Sequence, residues 1–585
     1  MEKTMRFLSI AALALVGAVM TGCSSEDNFT AQPQQQVADK GNVVTMTATV
    51  GLGEQAGTRK LTIDGSKGVK TFAVGDEIAV IYHNGTSFVK AVSHALVVGD
   101  ITNEGKNATF TFDLETPNKS GDVLYIYPAA MAGDTGVDVT KLNTQEGTFD
   151  ALQSKYDLCT NFGAWDGDNL PSLTLENLLA ILAITLKDEA GTSDITSGTT
   201  KLTVSDGTNT YNVNREASDG PIYVAILPTT SANISIEAIS SSQGYCKTLA
   251  TKTYAANNGY SVSWRMTPAT LLSTISSNYT AQNGERLYGK LGSNVKISIA
   301  DGAKVKLKDV TINGVDNWSY EWAGITCAGD ATITLEGTNT VKGFHGFYPG
   351  IYVPEDKTLT IEGEGSLNAS SNGRSTGIGG GFYKHCGDIV INGGNITATG
   401  GSGGYNAGIG GGEGDDETVI RCGKITINGG TVTATGGNGA AGIGCGYYGA
   451  SNDITITGGT VTATGGDSAA GIGSGEGGSC GAITINGGTV EATGGDYAAG
   501  IGSGDGGSCG AITISGGTVT ATGGEWAAGI GGGNYNGASG TITITSGVTQ
   551  VTATKGDSAP NSIGEGDGGA FITVTIEDPS KVTQN

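Results

Sequence analysis

The feature that most constrains this chain is a repeat. The string Ala-Gly-Ile-Gly places isoleucines at Ile409, Ile443, Ile472, Ile501 and Ile530, with looser copies at Ile325, Ile351, Ile378 and Ile563. From Ile443 to Ile530 the three successive spacings are 29 residues each. Inside one unit, Ile472, Ile483, Val490 and Ile501 follow one another at steps of 11, 7 and 11 residues. Runs this short alternate apolar and polar residues with the period of a strand, and a single copy cannot bury its own apolar face. The copies must therefore stack. That predicts a parallel β-helix (β-solenoid) with three short strands per coil, and with Ile483, Ile485, Val490, Ala492 and Ile501 pointing inward above their counterparts. About nine coils are expected at the ~4.8 Å spacing of neighbouring strands, joined by right-handed connections. The 100 glycines then serve at corners where φ is positive, and with 11 prolines and no Gly-X-Y period a collagen is excluded. Gly408-Ile409-Gly410 lacks the strand-loop-helix setting that a nucleotide-binding loop needs.

The rest of the chain divides by pattern. Lys3 and Arg6 precede an apolar run from Phe7 to Met20, too short for a bilayer span and suited to a signal peptide over residues 1–22. Residues 23–40 read as a flexible tether. Between Val43 and Met266, short alternating runs separated by Gly, Asn, Asp and Ser read as antiparallel β-sandwiches, one over residues 41–162 and a second over 163–265, with Gly163, Gly167 and Pro171 marking the boundary. Residues 266–289 read as a linker in which Thr267-Pro268, Leu271, Leu272 and Ile275 form a short capping helix. The β-helix occupies 290–585 and ends on a strand from Phe571 to Ile576, closed by Pro579 and Lys581. The fold class is all-β: two sandwiches, then a solenoid.

Two resemblances extend this reading. Met20-Thr21-Gly22-Cys23 resembles the bacterial lipoprotein signal, which implies lipid attachment at Cys23, and Ser24-Ser25-Glu26-Asp27 is similar to the acidic tag that directs lipoproteins to the outer face of the outer membrane. Gly57-Thr58-Arg59, Phe72 through Ile78, Tyr127-Pro128-Ala129, Gln145-Glu146-Gly147-Thr148 and Leu227-Pro228 follow the order seen in the fimbrillin-like family. That resemblance implies two transthyretin-like sandwiches, a surface location, fimbrial subunits as partners, and processing at Arg59. The long C-terminal extension points to a tip or accessory subunit rather than a shaft subunit. The repeat also resembles a carbohydrate-binding β-helix family through its Ile-Thr-Ile, Gly-Gly-Thr-Val and Thr-Ala-Thr-Gly-Gly strings, over residues 325–576.

The chemistry is read from what the coils carry and lack. The net charge is -24, from 32 Lys and Arg against 56 Asp and Glu, which repels phosphate backbones and excludes nucleic acid as a partner. Residues 425–554 hold no Lys, Arg or His, so the regular coils offer no base of the kind a polysaccharide lyase uses. His345 and His385 have no recurring Ser, Cys or carboxylate partner and read as turn or surface residues. One acidic cluster, Glu413, Asp415, Asp416 and Glu417, lies near Arg421, and its readings are a solvated loop, a Ca²⁺ site or a pair of hydrolase carboxylates. Tyr405, Gly439, Ser468, Tyr497 and Trp526 share one repeat position, which should set Tyr497 and Trp526 one above the other beside Asp496 and Glu525. Such an aromatic shelf suits sugar faces. Phe382, Tyr383, Tyr447, Tyr448 and Tyr535 follow the Ile-Gly strand and are expected on a second edge, while Trp318, Tyr320 and Trp322 cover the N-terminal end. Outward threonines at 431, 433 and 435 and their counterparts form ladders, as exposed strands favour. Cys386, Cys422, Cys480 and Cys509 share another position, which permits a disulfide for Cys386/Cys422 and for Cys480/Cys509.

These features predict a non-catalytic, surface-anchored adhesin that binds glycans through its β-helix. The alternatives are a polysaccharide hydrolase using the 413–417 acids and a ligand-free structural stalk.

Overall fold

The computed structural model describes residues 43–52, 62–63, 66–67, 71–401, 403–415 and 417–585. Cys23, Arg59 and Asp416 lie outside them, as do the leader and tether. The described chain is almost entirely β and divides into two compact units, one ending at Pro268 and one beginning at Ala269.

In the first unit, Val43–Leu52 pairs antiparallel with Asn107–Glu115, and Ser120–Tyr127 pairs antiparallel with Cys159–Asp166, within one eight-stranded sheet. The sheet encloses Phe72, Phe110, Phe112, Tyr125 and Trp165. Its rings meet mostly edge to face, as with Phe72 against Phe110 at 5.2 Å between centroids. A second core forms around Ala180–Lys187, which pairs antiparallel with Ile222–Ile226 and parallel with Asn258–Arg265. The expected boundary at 162/163 falls inside a strand. Cys159–Asp166 runs straight through it, because Gly163 is a pairing residue whose missing side chain admits Leu173. The crossing to the second sandwich comes after Leu173–Asn177.

Several motifs that carried the family resemblance are joints of this unit. Asp76 accepts hydrogen bonds from the Ala73 N–H at 2.9 Å and the Tyr127 hydroxyl at 2.8 Å. Buried Gln145 both donates to and accepts from the backbone of Ala225, at 2.7 and 2.9 Å, tying the 144–145 strand to the second core.

The second unit is a stack of coils. Each regular coil contributes an Ile-Thr-Ile strand, a Thr-Val-Thr-Ala-Thr strand (Thr-Val-Glu-Ala-Thr at Thr489–Thr493) and a two-residue Ile-Gly strand, all parallel to their counterparts in the next coil. The register is direct: Ile443 lies over Ile472, Ile454 over Ile483, and Val461 over Val490. The expected inward residues Ile483, Ile485, Val490, Ala492 and Ile501 are all buried. Gly473 shows why the Ile-Gly corner admits no other residue. Its φ is 139°, and a Cβ there would collide with the carbonyl of Gly502 in the next coil.

Three details depart from the expectation. A fourth, two-residue strand appears at the cysteine position of the coils between Arg421 and Cys509. The capping helix is a single 3₁₀ turn, Leu272–Thr274, and Thr270–Leu271 and Tyr279–Ala281 already pair with the strands above them. The stack therefore begins before residue 290, and the sheet that carries the Ile-Gly strands is eleven strands deep among the described residues. At the far end Pro579–Lys581 is a turn, not a terminus, since Val582–Gln584 adds one more strand against Gln550–Thr554. In both places a short β pairing on an existing edge satisfies more backbone groups than an isolated helical turn would.

Candidate ligand-binding edge

Two repeat positions meet on one edge of the coils. The position four residues before each aligned isoleucine, from Ile351 to Ile563, holds Phe347, Arg374, Tyr405, Gly439, Ser468, Tyr497, Trp526 and Ala559. The position four residues after it, from Ile378 on, holds Phe382, Glu413, Tyr447, Glu476, Asp505 and Asn534, with Asp567 in the last coil. The N–H of Tyr447 donates to the carbonyl of Tyr405, that of Glu476 to Gly439, Asp505 to Ser468, Asn534 to Tyr497 and Asp567 to Trp526, all at 2.9–3.0 Å. Phe382 donates to Phe347 in the same way at 3.1 Å. The Ile-Gly strand is so short that the chain enters and leaves it on the same side. The two aromatic rows expected on separate edges therefore form one.

Side chains follow the backbone. Phe347 and Phe382 stack at 4.5 Å and 23°, and the Arg374 guanidinium lies 4.5 Å over the Phe382 ring. Tyr405 meets Tyr447 at 4.7 Å, and Tyr447 meets Tyr448 edge-on at 4.5 Å. Gly439 forms a floor between them: a Cβ there would come within 2.8 Å of the Tyr405 ring and 3.1 Å of the Glu476 carboxylate. Glu476 and Asp505 follow on adjacent coils. Partial burial, helped by the neighbouring Asp505 charge, pushes the Glu476 carboxyl above its ordinary range, and burial does the same to Asp505. One Asp505 carboxylate oxygen is buried with no hydrogen-bond partner.

Tyr497 and Trp526 stand one above the other by register, as expected, since the Trp526 N–H donates to the carbonyl of Asp496 and the Tyr497 N–H to that of Asp467. Tyr497 is exposed, Trp526 is half-buried, and their acidic neighbours Asp496 and Glu525 are exposed. Every aromatic residue between 425 and 554, namely Tyr447, Tyr448, Tyr497, Trp526 and Tyr535, stays out of the solenoid core.

The 413–417 acids are not the open cluster expected. Glu413 is buried and pairs through both carboxylate oxygens with Arg374, one contact being 3.2 Å from Nε; Arg421 is not its partner. Asp415 accepts from the N–H groups of Glu417 and Thr418 and, at 2.6 Å, from the Tyr383 hydroxyl, which holds its carboxyl below the usual range. Glu417 is exposed. Among the described residues no group of three or more His, Cys, Asp or Glu is placed to hold a metal ion. The reason is geometric: Glu413 is buried on the edge against Arg374, one coil below, which neutralises it.

The histidines are structural. His345 is buried against Trp318, at 4.3 Å between ring centroids, and Phe347, while the Nδ1 of His385 accepts the Arg421 N–H at 2.9 Å. Trp318 is exposed and extends the aromatic edge through His345 and Phe347, whereas Tyr320 and Trp322 pack against the solenoid core. Cys386 and Cys422 form a disulfide with Cα atoms 4.4 Å apart. Cys480 lies directly over Cys509 in register, but both are free thiols. Sequence reading missed the Glu476/Asp505 pair and the role of Arg374. The signal was present in the four-residue offset on either side of each isoleucine.

Comparison with known proteins agrees with the solenoid. Residues 389–413, 425–447, 454–476, 483–505 and 512–534 match the Beta helix repeat family. No curated protein matches the chain. Among solved structures, it is similar to a candidate cell adhesion protein from Bacteroides uniformis at 16% identity and a TM-score of 0.23, covering 38% of this chain and 93% of that one. A candidate cell adhesion protein from Bacteroides ovatus gives 12% and 0.24, covering 39% and 97%, and a fimbrial assembly protein from Parabacteroides distasonis gives 12% and 0.22, covering 38% and 91%. At these scores the likeness is too slight to bear on what the chain does. No helix among the described residues is long and apolar enough to cross a membrane.

Proposed function

We propose that this chain is a non-catalytic surface adhesin that binds carbohydrate along the aromatic edge of its solenoid. The sandwich half serves as stalk or assembly module, with a lipid at Cys23 anchoring it to the outer membrane, in the manner of a fimbrial tip or accessory subunit. One observation carries this reading: backbone hydrogen bonds bring two rows of the repeat together, so that Tyr405, Tyr447, Tyr497 and Trp526 share an edge with Glu476, Asp505, Asp496 and Glu525. Ring faces stack on the apolar faces of sugars while carboxylates accept their hydroxyl hydrogens. The test is a glycan array probed with the full chain, with and without Ca²⁺. Binding in both conditions is expected, and silence in both leaves the ligand-free stalk.

A hydrolase reading is favoured by a different pair than the 413–417 acids. Glu476 and Asp505 are adjacent carboxyls with raised proton affinity, the property a general acid needs. Sustained release of reducing ends from a bound polysaccharide, abolished in Glu476→Gln, would establish it over the binding-only reading.

A further inference from the structure

One position of the edge is strained in a way the fold does not require. In the turn after each Ile-Gly strand, one column holds Tyr383, Gly414, Tyr448, Gly477, Gly506, Tyr535 and Gly568. Each N–H from Tyr383 to Tyr535 donates to the carbonyl of the preceding turn position in the next coil. Gly477, Gly506 and Gly568 have φ of 58°, 59° and 65°, while Tyr383, Tyr448 and Tyr535 have 53°, 47° and 50°. Six of the seven positions thus take a left-handed backbone, and Gly414 does not. Glycine supplies it freely, and a bulky side chain there is a genuine outlier. Packing differs among the tyrosines: Tyr448 is half-buried with its ring against Tyr447 and Gly477, Tyr383 lies edge-on to Phe382 at 4.4 Å, and Tyr535 is mostly exposed. Tyr535 is 74% exposed and Tyr383 41% exposed, and the same turn closes with no side chain at all in the coils between. Left-handed bulky residues persist only where the surrounding structure holds them, and they cluster at ligand clamps and active sites.

Resting on the carbohydrate reading above, we infer that the edge takes an extended, linear, uncharged glycan lying along the stacking axis, with Tyr383, Tyr448 and Tyr535 as its stacking stations. The three rings share one column, so a chain touching all of them runs across the coils. At the ~4.8 Å coil spacing the stations stand ~10 Å and then ~14 Å apart, farther than one sugar ring bridges. Between Tyr448 and Tyr535 the column carries Gly477, against which the Tyr448 ring lies, and Gly506, which adds no side chain. Charge sets the ligand class. Along the stretch from Tyr448 to Tyr535, exposed Asp467, Asp496 and Glu525 share the edge and residues 425–554 contain no Lys, Arg or His, so uronate or sulfated chains are repelled there, while near Tyr383 the cations are Arg374, paired with Glu413, and Lys384, over the Tyr348 ring. Stations on one rigid support also make each further contact intramolecular, so affinity grows with chain length.

The experiment titrates the full chain with xylo-, manno- and cello-oligosaccharides, each from disaccharide to octasaccharide, and with an oligogalacturonate of matched length. It repeats the series for Tyr535→Gly and Tyr448→Gly and records the Tm of each variant. The octasaccharide of at least one neutral series should bind at least ten-fold more tightly than its disaccharide, and the galacturonate should not bind. Each glycine variant should lose about five-fold or more in octasaccharide affinity, on the scale of one aromatic contact, with Tm unchanged or raised. A disaccharide bound as tightly as the octasaccharide, or an unchanged affinity in Tyr535→Gly, overturns this inference and leaves the carbohydrate reading standing. A Tm lowered by several degrees in both variants makes the tyrosines packing residues and also overturns it. No binding to any oligosaccharide at any length removes both.

Discussion

The sandwiches and the regular coils of the solenoid put their aromatic residues in opposite places. In the sandwiches, Phe72, Phe110, Phe112, Tyr125 and Trp165 are buried and fill the space between strands that pair across long stretches of sequence. In the regular coils the core is Ile, Val, Ala and Cys, and every ring from Tyr447 to Tyr535 sits on the edge. The difference follows from geometry. A solenoid coil is narrow, and each inward side chain must stack on an equivalent one at the ~4.8 Å strand spacing, which β-branched aliphatic residues tolerate and large rings do not. A sandwich has a core ~10 Å thick between its layers and needs bulk to fill it. The aromatic residues of the regular coils therefore stand outside the core that holds the stack together.

Four substitutions sharpen or break that contrast. The largest effect should come from Gly473→Ala, which drives a methyl into the Gly502 carbonyl at φ 139° and should cost more than about 4 kcal/mol of solenoid stability. Differential scanning calorimetry should show the solenoid transition falling and the sandwich transition unmoved; a shared drop would mean that the units unfold together. Phe112→Ala should cost about 4 kcal/mol through lost burial and a cavity, and should move only the sandwich transition in the same scan. Cys386→Ser should cost about 3 kcal/mol by opening a cross-link with a sequence separation of 36, read as a lower denaturation midpoint that reductant reproduces in the wild-type chain. Smallest is Glu476→Gln. The raised folded-state affinity of Glu476 for a proton means that its ionised form opposes the fold. That penalty is absent below the ordinary carboxylate range and grows as pH rises through the folded value. The variant should thus melt slightly higher than wild type at neutral pH and the same in acid; a lower Tm at neutral pH would mean that the carboxylate supports the edge.

The stack and its inward residues were legible because a direct repeat fixes register: once Ile443 and Ile472 are equivalent, so is every residue between them. The ends were not legible. Residues 267–281 carry a helix signal over one turn only, and the neighbouring strand edge, invisible from local sequence, pulls Thr270–Leu271 and Tyr279–Ala281 into the sheet. The boundary at Gly163 misled for a related reason, since the glycine that reads as a break is a paired strand residue making room for Leu173. At the edge, the Tyr497/Trp526 register was legible from spacing. The union of the two rows was not, because it depends on how tightly the chain doubles back around a two-residue strand. Glu413 shows the same limit, since its choice of Arg374 over the sequence neighbour Arg421 is made across a coil.

The central claim is that the aromatic edge belongs to ligand binding and not to folding. The direct measurement replaces Tyr447, Tyr497 and Trp526 with Ala and Tyr448 and Tyr535 with Gly in one full-length chain, and follows both Tm and binding to the best neutral glycan from the array. A solenoid transition within a few degrees of wild type together with loss of binding is the result expected. Loss of the solenoid transition, or retained binding in a folded variant, would contradict it.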